Sequence, residues 1–317
     1  MGLENFLRGL KLTYVLHNFL NRRKLKEAQA AYRKYGLKKS VYTPVSHQEI
    51  KKQAISEEAP WLDQPNATER LLSQAYFQQL PAAWQDAVRQ WPERGYLILK
   101  GLFSAEEVET INREIDRLVH EQKAEWRYVN KIMFAVRQSK AVRDIVHKPE
   151  LEALLGFLLG KPVKLFQSIN FLKGSQQSAH SDSIHMTTYP LGYMIAAWIA
   201  LEDIDPGSGP LFYYPGSHRL PYVLNEDFDH GGNYFLIGEQ AYARYEAAIK
   251  SVLEKQNLPQ ETFLAQKGDV LLWHANLLHG GSPVLDPQRT RKSMVLHYFA
   301  EGVICYHEIT QRPALQE

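Results

Sequence analysis

The sequence predicts an α+β fold with a mainly β core and with helices flanking the core on its N-terminal side. Apolar residues recur at helical spacing in several segments before about residue 160, whereas short apolar runs bounded by turn residues dominate after it. The chain has 317 residues, of which 44% are hydrophobic and 23% charged, so it can bury a large core. We expect a helical extension over residues 1–45 and one main domain over residues 46–317.

The helical patterns precede the strands. Residues 66–92 are predicted to be helical, and Pro81 is expected to split them into two helices. The first strand is predicted at residues 95–99, and a capping box over residues 104–107 opens the next helix. A further short helix is predicted over residues 149–160, with proline near its start and glycine at its end.

The second half of the chain is predicted to be rich in strands. One long interruption, residues 222–260, contains a helical pattern that includes Tyr242 and Tyr245, and we interpret it as a lid inserted near the mouth of the β core. The strands are predicted at residues 163–172, 194–201, 210–214, 262–266, 270–274 and 293–299.

The most informative motif is His180-Ser181-Asp182, which is followed by His279, 97 residues after Asp182. Two imidazoles and one carboxylate suit a ferrous ion and leave other coordination positions open. In an extended strand the first and third residues of the motif point the same way. A His-x-Asp triplet alone is common by chance, so the interpretation depends on the surrounding pattern.

That pattern includes two glycines directly after His279, which allow close approach of the backbone to a ligand. Arg291 follows 12 residues after His279, at the start of an apolar strand. An arginine in this place can hold a carboxylate of a dicarboxylic acid through a bidentate pair.

Taken in order, these motifs resemble those of the phytanoyl-CoA dioxygenase family over roughly residues 90–300. The family consists of oxygenases that use Fe(II), 2-oxoglutarate and O2, and its fold is a double-stranded β-helix, a cupin-like jelly roll. The matching motifs are His180-x-Asp182, Trp198-Ile199-Ala200-Leu201-Glu202-Asp203, Gly209-Pro210-Leu211, Pro215-Gly216-Ser217-His218-Arg219, His279-Gly280 and Arg291.

The resemblance implies that His180, Asp182 and His279 are the iron ligands. It also implies that Arg291 holds the distal carboxylate of 2-oxoglutarate. Arg289 competes for this role, and Arg291 is preferred because the family's arginine begins the last strand.

Four further residues are expected to contact the cofactor by the same resemblance: Ser282, Gln167, Asn170 and Trp198. Ser282 lies one position later than the family's serine, and Trp198 can equally be a core residue. Gln167 and Asn170 lie on opposite strand faces unless a bulge intervenes. His274 and His297 are interpreted as hydrogen-bonded core histidines, and His185 as a packing or substrate-side residue.

The predicted function is therefore an Fe(II)/2-oxoglutarate-dependent hydroxylase that releases succinate and CO2. A non-catalytic binding protein on the same fold is one alternative, although the complete ligand set disfavours it. A cupin-type metalloenzyme with another metal is a second alternative, in which Arg291 would have no role. The substrate is expected to be a small, lipid-linked or glycan-linked molecule, and neither its identity nor the oligomeric state follows from the sequence.

The net charge of +2 conceals an asymmetry. Residues 1–40 carry ten Lys and Arg against two Glu, a balance of +8, so the remainder carries −6. An apolar stripe in this segment predicts either peripheral contact with an anionic membrane or packing on the body. No nucleic-acid-reading motif accompanies the basic residues. The stripe consists of Leu3, Phe6, Leu7, Leu10 and Tyr14.

The sequence also favours a location. The single cysteine, Cys305, excludes an internal disulfide framework and suits a reducing compartment. No apolar run is long enough to span a bilayer, and the first 20 residues lack the features of a signal peptide. We expect a cytoplasmic protein, with peripheral attachment at the inner face of a membrane as the alternative.

Overall fold

The core consists of two antiparallel sheets that face each other. The computed structural model describes residues 9–55, 58–127, 130–228, 232–233 and 235–315. The larger sheet has seven strands in the order β1-β9-β6-β11-β4-β3-β2, and the smaller has three in the order β10-β7-β8. A separate pair is formed by β12 and β5. The strands are β1 (Tyr96–Leu99), β2 (Glu125–Arg127), β3 (Lys131–Met133), β4 (Val163–Phe171), β5 (Thr187–Tyr189), β6 (Met194–Ala200), β7 (Leu211–Tyr213), β8 (Glu261–Phe263), β9 (Val270–His274), β10 (His279–Gly281), β11 (Ser293–Ala300) and β12 (Ile304–Tyr306).

Helices flank these sheets on the N-terminal side, as the sequence predicts, and one long helix lies between β7 and β8. The described helices are α1 (Lys11–Leu20), α2 (Lys26–Lys34), α3 (His47–Gln53), α4 (Ala67–Leu72), α5 (Ala75–Gln79), α6 (Ala82–Arg89), α7 (Trp91–Arg94), α8 (Ala105–His120), α9 (Ala135–Gln138), α10 (Lys140–Val146), α11 (Pro149–Leu159) and α12 (Ala241–Gln256).

The alternation of side chains assigns each strand residue to one of two cores. Trp198, Leu271 and Val295 of the larger sheet pack between the sheets, together with Leu211 and Phe263 of the smaller sheet. Their neighbours along each strand point the other way and pack against the helices. The space between the sheets is therefore reached by every second residue of β4, β6, β9 and β11.

Two local predictions need correction. The predicted helical stretch 66–92 falls in four short helices rather than two, and the last of them runs to Arg94. Extended backbone at Gln74 and Leu80, followed by Pro81, separates the first three, and Pro92 lies in the first turn of the fourth. His180 and Asp182 do not share an extended strand: the first forms an isolated bridge with His279, and the second opens a 3₁₀ turn.

The segment that follows α1 packs on the body of the protein. Leu25, Tyr32 and Tyr35 form a cluster with Tyr189 and Ile304 of the β5–β12 pair. Of the predicted apolar stripe, Leu3, Phe6 and Leu7 lie outside the described residues. The division at residue 45 remains a prediction. In the described ranges, no helix has the length and apolar character needed to cross a bilayer.

Candidate active site

Three buried side chains, those of His180, Asp182 and His279, meet at the edge of the space between the sheets. One potential ligand atom from each lies within 4.8 Å of the others. The bridge that joins them consists of two backbone hydrogen bonds of 2.9 Å, one in each direction between His180 and His279. A rigid backbone pair therefore positions two of the three donors.

Backbone carbonyls fix the orientation of both imidazoles. His180 Nδ1 lies 2.9 Å from the carbonyl oxygen of Ser178, and His279 Nδ1 lies 2.9 Å from that of Leu277. A carbonyl oxygen can only accept, so each Nδ1 carries the proton and each Nε2 presents a lone pair. This arrangement is the usual support of a metal-binding histidine.

The carboxylate of Asp182 is held by residues that the sequence analysis did not identify as part of the site. Trp273 Nε1 donates a 2.7 Å hydrogen bond to Asp182 Oδ2, and His297 Nε2 lies 3.6 Å from the same oxygen. Oδ1 faces His279 Nε2 at 3.7 Å. One carboxylate oxygen is thus anchored, and the other remains directed at the imidazoles.

The protonation states suit a metal. Burial alone would raise the pKa of Asp182, but the neighbouring imidazoles of His279 and His297 lower it below its usual range, so the carboxylate is ionised. Burial, followed by the proximity of His279, lowers the pKa of His180 well below its usual value. Neutral imidazoles and an ionised carboxylate are the forms that bind a divalent cation.

We predict that replacing Trp273 with phenylalanine weakens metal binding. The substitution keeps an aromatic ring beside His279, whose centroid lies 4.5 Å away, but removes the N–H that holds Asp182. Loss of such an outer hydrogen bond typically costs 10- to 100-fold in metal affinity, and we expect a decrease of about that size. Anaerobic titration with Fe(II) measures it. Trp91→Phe changes a buried tryptophan outside the cluster and serves as the control; equal affinities of the two variants would contradict the assignment.

Arg291 lies buried between the sheets with only 2% of its surface exposed. Its guanidinium carbon is 5.3 Å from the ring centroid of Phe171 and 5.7 Å from that of Trp198, and Nη1 donates to Ser293 Oγ at 2.8 Å. Among the described residues, its Nε has no hydrogen-bond partner. Burial lowers the pKa of Arg291 to about 10, so the group remains cationic at neutral pH. A buried cation with an unpartnered donor fits an anionic ligand.

The competing arginine is in a different environment. Arg289 is half exposed and forms ion pairs with Asp205 at 2.8 Å and with Asp286 at 3.1 Å. Its charge is therefore already neutralised at the surface. Of the two, only Arg291 faces the interior.

The other four residues predicted to contact the cofactor lie in three different environments. Gln167 faces the interior, where its Nε2 donates to His297 Nδ1 at 3.2 Å. Trp198 is buried there too, and its Nε1 has no hydrogen-bond partner in the part of the chain that the structure describes. Asn170 pairs with Met294 on the helix-covered face, so the structure does not bring it to the cluster. Ser282 is partly buried, and its backbone N–H donates to Pro210 O at 2.8 Å.

A chain of polar side chains connects the cluster to the predicted lid. Gln177 Nε2 lies 3.2 Å from His180 Nε2 and donates to Tyr242 OH at 2.9 Å, while its Oε1 accepts from Lys131 Nζ at 3.1 Å. Tyr242 belongs to α12 and stacks on His185, with ring centroids 5.3 Å apart. The helix of the 222–260 insertion therefore contacts the approach to the metal-binding residues.

The histidines outside the cluster are as the sequence suggests, with one addition. His274 is a hydrogen-bonded core residue, and its Nε2 lies 3.1 Å from Asp63 Oδ2. His297 is also buried and hydrogen-bonded, but it additionally borders Asp182. The signal that could have identified it is its position two residues from the inward-facing Val295.

Comparisons with known proteins point consistently to one protein family. The chain matches the family model for phytanoyl-CoA dioxygenase (PhyH) over residues 91–293, which is more than half of its length. It is 24% identical to the peroxisomal phytanoyl-CoA dioxygenase of Mus musculus over 247 residues, 68% of each chain. It is 27% identical to the ectoine dioxygenase of Nocardia farcinica over 234 residues, 65% of this chain and 76% of the relative.

Solved structures agree in fold. The α-ketoglutarate-dependent carbocyclase SnoK from nogalamycin biosynthesis superposes with a TM-score of 0.58 at 19% identity, over 74% of this chain and 89% of that one. EctD from S. alaskensis with 2-oxoglutarate and 5-hydroxyectoine gives 0.56 at 22% identity, over 81% and 86%. The likeness confirms the predicted double-stranded β-helix.

Proposed function

The chain belongs to the phytanoyl-CoA dioxygenase family and is an Fe(II)- and 2-oxoglutarate-dependent dioxygenase, and from this premise we propose that it hydroxylates a small-molecule, lipid-linked or glycan-linked substrate. The observation that carries the proposal is the pairing of two features inside one barrel. A group of two histidines and one aspartate lies at its edge, and the buried guanidinium of Arg291 lies in the interior.

We assign the metal to His180 Nε2, His279 Nε2 and Asp182 Oδ1. Each of these atoms faces the others, while Nδ1 of each imidazole and Oδ2 of the carboxylate are engaged by neighbouring groups. The donor set is the one that suits ferrous iron with open coordination positions. When bound, iron together with 2-oxoglutarate and O2 supplies the oxidation of a C–H bond, with release of succinate and CO2.

The remaining residues place the reactants and exclude water. Arg291 neutralises the distal carboxylate of 2-oxoglutarate, and the rings of Phe171 and Trp198 hold the guanidinium in place. Trp273 keeps Asp182 directed at the imidazoles. Gln177 Nε2 donates to the nitrogen of His180 that is assigned to the metal, so this hydrogen bond must break when the metal binds. Gln177 is also held by Tyr242 and Lys131.

Substrate contacts are assigned to the groups between the cluster and α12. Lys131, His185 and Tyr242 lie on this side, and burial lowers the pKa of His185 to about 4, so its ring is neutral. These side chains offer hydrogen-bond donors and acceptors to a polar portion of the substrate. The position of hydroxylation depends on how that portion is held.

The alternatives explain less of the site. A non-catalytic binding protein would not require three convergent ligand atoms with supported imidazole orientations. A cupin-type enzyme with another metal would leave the buried charge of Arg291 without a ligand.

The proposal is tested by anaerobic loading of the purified protein with Fe(II), followed by addition of O2 and 2-oxoglutarate. We expect succinate to form, and to form faster when a substrate is present. A panel of small metabolites, acyl lipids and glycolipids is screened for the compound that accelerates succinate formation and gains one oxygen atom in its mass. Omission of 2-oxoglutarate is the control. If the iron-loaded protein forms no succinate, with or without the panel, the proposal is wrong.

A further inference from the structure

Helix α1 exposes its apolar face to solvent and buries polar residues, which is the opposite of what an amphipathic surface helix usually does. Leu12, Leu16, Phe19 and Leu20 are exposed by 72%, 61%, 53% and 70%, whereas its two buried residues, Lys11 and Asn18, are polar. The four apolar residues recur at spacings of four, three and one, which places them on one face of the helix. Surface helices normally bury their apolar stripe.

The apolar surface extends beyond α1. Leu10 forms a bridge with Leu236, and the N–H of Lys11 donates to the carbonyl oxygen of Phe235 at 2.8 Å. Phe235 and Leu236 are themselves exposed by 70% and 41%. We call the six side chains the apolar patch: Leu12, Leu16, Phe19, Leu20, Phe235 and Leu236.

Polar contacts on the opposite side fix the orientation of α1. Lys11 Nζ donates to Asn233 O at 2.8 Å and to Gln311 Oε1 at 2.9 Å, and Asn18 Nδ2 donates to Tyr42 O at 3.1 Å. The guanidinium of Arg312 lies 5.6 Å from the ring centroid of Tyr14. Rotation of α1 to bury its leucines would break these contacts, so the helix is held with its apolar face outward.

Basic residues border the apolar patch. Arg22, Arg23 and Lys26 are exposed directly after α1, and the guanidinium of Arg22 lies 5.6 Å from the ring centroid of Phe19. Residues 1–40 carry a balance of +8. An apolar face with a basic border matches the boundary between the headgroups and the acyl chains of an anionic bilayer.

Contacts link helix α1 to residues on the proposed substrate side of the active site. Helix α1 rests on Gln311 and Arg312, in the same turn as His307, whose ring centroid lies 5.4 Å from that of His185. Residues 235–236 of the patch also precede α12 closely in the chain, and α12 carries Tyr242. A surface bound at the patch would thus be connected, through the turn at residues 307–312, with the residues assigned to substrate contacts.

We propose that the apolar patch docks on an anionic lipid bilayer and thereby presents the active-site entrance to a substrate that carries a hydrocarbon chain. The docking stands on the patch and its charges alone. The lipid-borne nature of the substrate rests on the function proposed above.

The test is co-sedimentation of the full chain with vesicles of phosphatidylcholine, with and without phosphatidylglycerol. We expect binding to the anionic vesicles that falls with rising salt, because the basic residues are screened. Leu16→Glu combined with Leu20→Glu should weaken this binding about tenfold or more, since two leucines can no longer enter the bilayer and two negative charges face it. Leu264→Glu combined with Leu285→Glu is the matched control, because both residues are exposed, by 50% and 76%, and the charge change is identical.

Two further measurements separate the possible outcomes. Sedimentation velocity without lipid shows whether the apolar patch instead joins two copies of this chain. A dimer that the Leu16/Leu20 double variant abolishes would overturn the proposal. Equal vesicle binding by the Leu16/Leu20 and Leu264/Leu285 double variants would also overturn it. His279→Ala should still bind vesicles, because docking does not need the iron site. Vesicle binding without succinate formation by the wild-type protein would therefore contradict the proposed function and leave docking supported.

Discussion

Replacement of His279 by alanine is expected to abolish tight Fe(II) binding and Fe(II)-dependent succinate formation. The imidazole supplies one of only three protein atoms assigned to the metal, and its Nε2 lies 3.7 Å from Asp182 Oδ1. Loss of an outer-sphere hydrogen-bond partner already lowers metal affinity roughly 10- to 100-fold, so loss of a ligand should lower the affinity by more than about 100-fold. His180→Ala and Asp182→Ala are expected to behave in the same way.

The measurement pairs an anaerobic Fe(II) titration with the succinate assay. His120→Ala, which changes an exposed histidine at the end of α8, is the control and should match the wild type in both. Thermal unfolding of the metal-free proteins reports whether each variant keeps its fold. A folded His279→Ala protein with wild-type succinate formation would remove this residue from the metal site.

The sequence predicts seven of the strands, because their apolar runs are local, but it does not predict the three-residue strands β2, β3, β5, β10 and β12. Apolar runs between turn residues mark β4, β6, β9 and β11, and the spacing of the His-x-Asp motif is short. The residues that support the motif are not local. Trp273 and His297 reach Asp182 only because β9 and β11 flank β6 in the larger sheet, and no pattern in the chain specifies that order.

The choice between Gln167 and Asn170 illustrates a second limit. The two lie three positions apart, so they share a face only if a bulge separates them. The irregularity in the pairing of β4 with β11 falls between His297 and Tyr298, just before Gln167. From Gln167 to Phe171 the alternation is uninterrupted, which turns the glutamine inward and the asparagine outward. The position of such a bulge cannot be predicted from a single sequence.

The N-terminal segment shows that the orientation of a helix on the body is also not predictable from the sequence alone. The predicted stripe contained Leu10 and Tyr14, and both contact the body, through Leu236 and Arg312 respectively. The exposed leucines of α1 lie on another face. Periodicity identifies an apolar face, but which face is covered depends on the polar contacts of Lys11 and Asn18, which are made with distant parts of the chain.

Replacement of Arg291 by alanine is expected to raise the KM for 2-oxoglutarate by roughly 30-fold or more. Removing one partner of a buried charge pair costs about 2–5 kcal/mol, and each 1.4 kcal/mol is a factor of ten. The guanidinium is buried, its Nε has no partner, and within the described residues no carboxylate forms an ion pair with it, so its charge is available to a ligand. Arg291→Lys should recover part of the loss, because it restores the charge without the planar fork.

The discriminating comparison is with Arg289→Ala, titrated with 2-oxoglutarate under the same conditions. Arg289 is half exposed and already paired with Asp205 and Asp286, so its loss should change the KM little. Fe(II) affinity should remain near the wild-type value in both variants, which separates a defect in co-substrate binding from one in the metal site. If Arg289→Ala raises the KM and Arg291→Ala does not, the carboxylate of 2-oxoglutarate is held at the rim of the barrel rather than between its sheets.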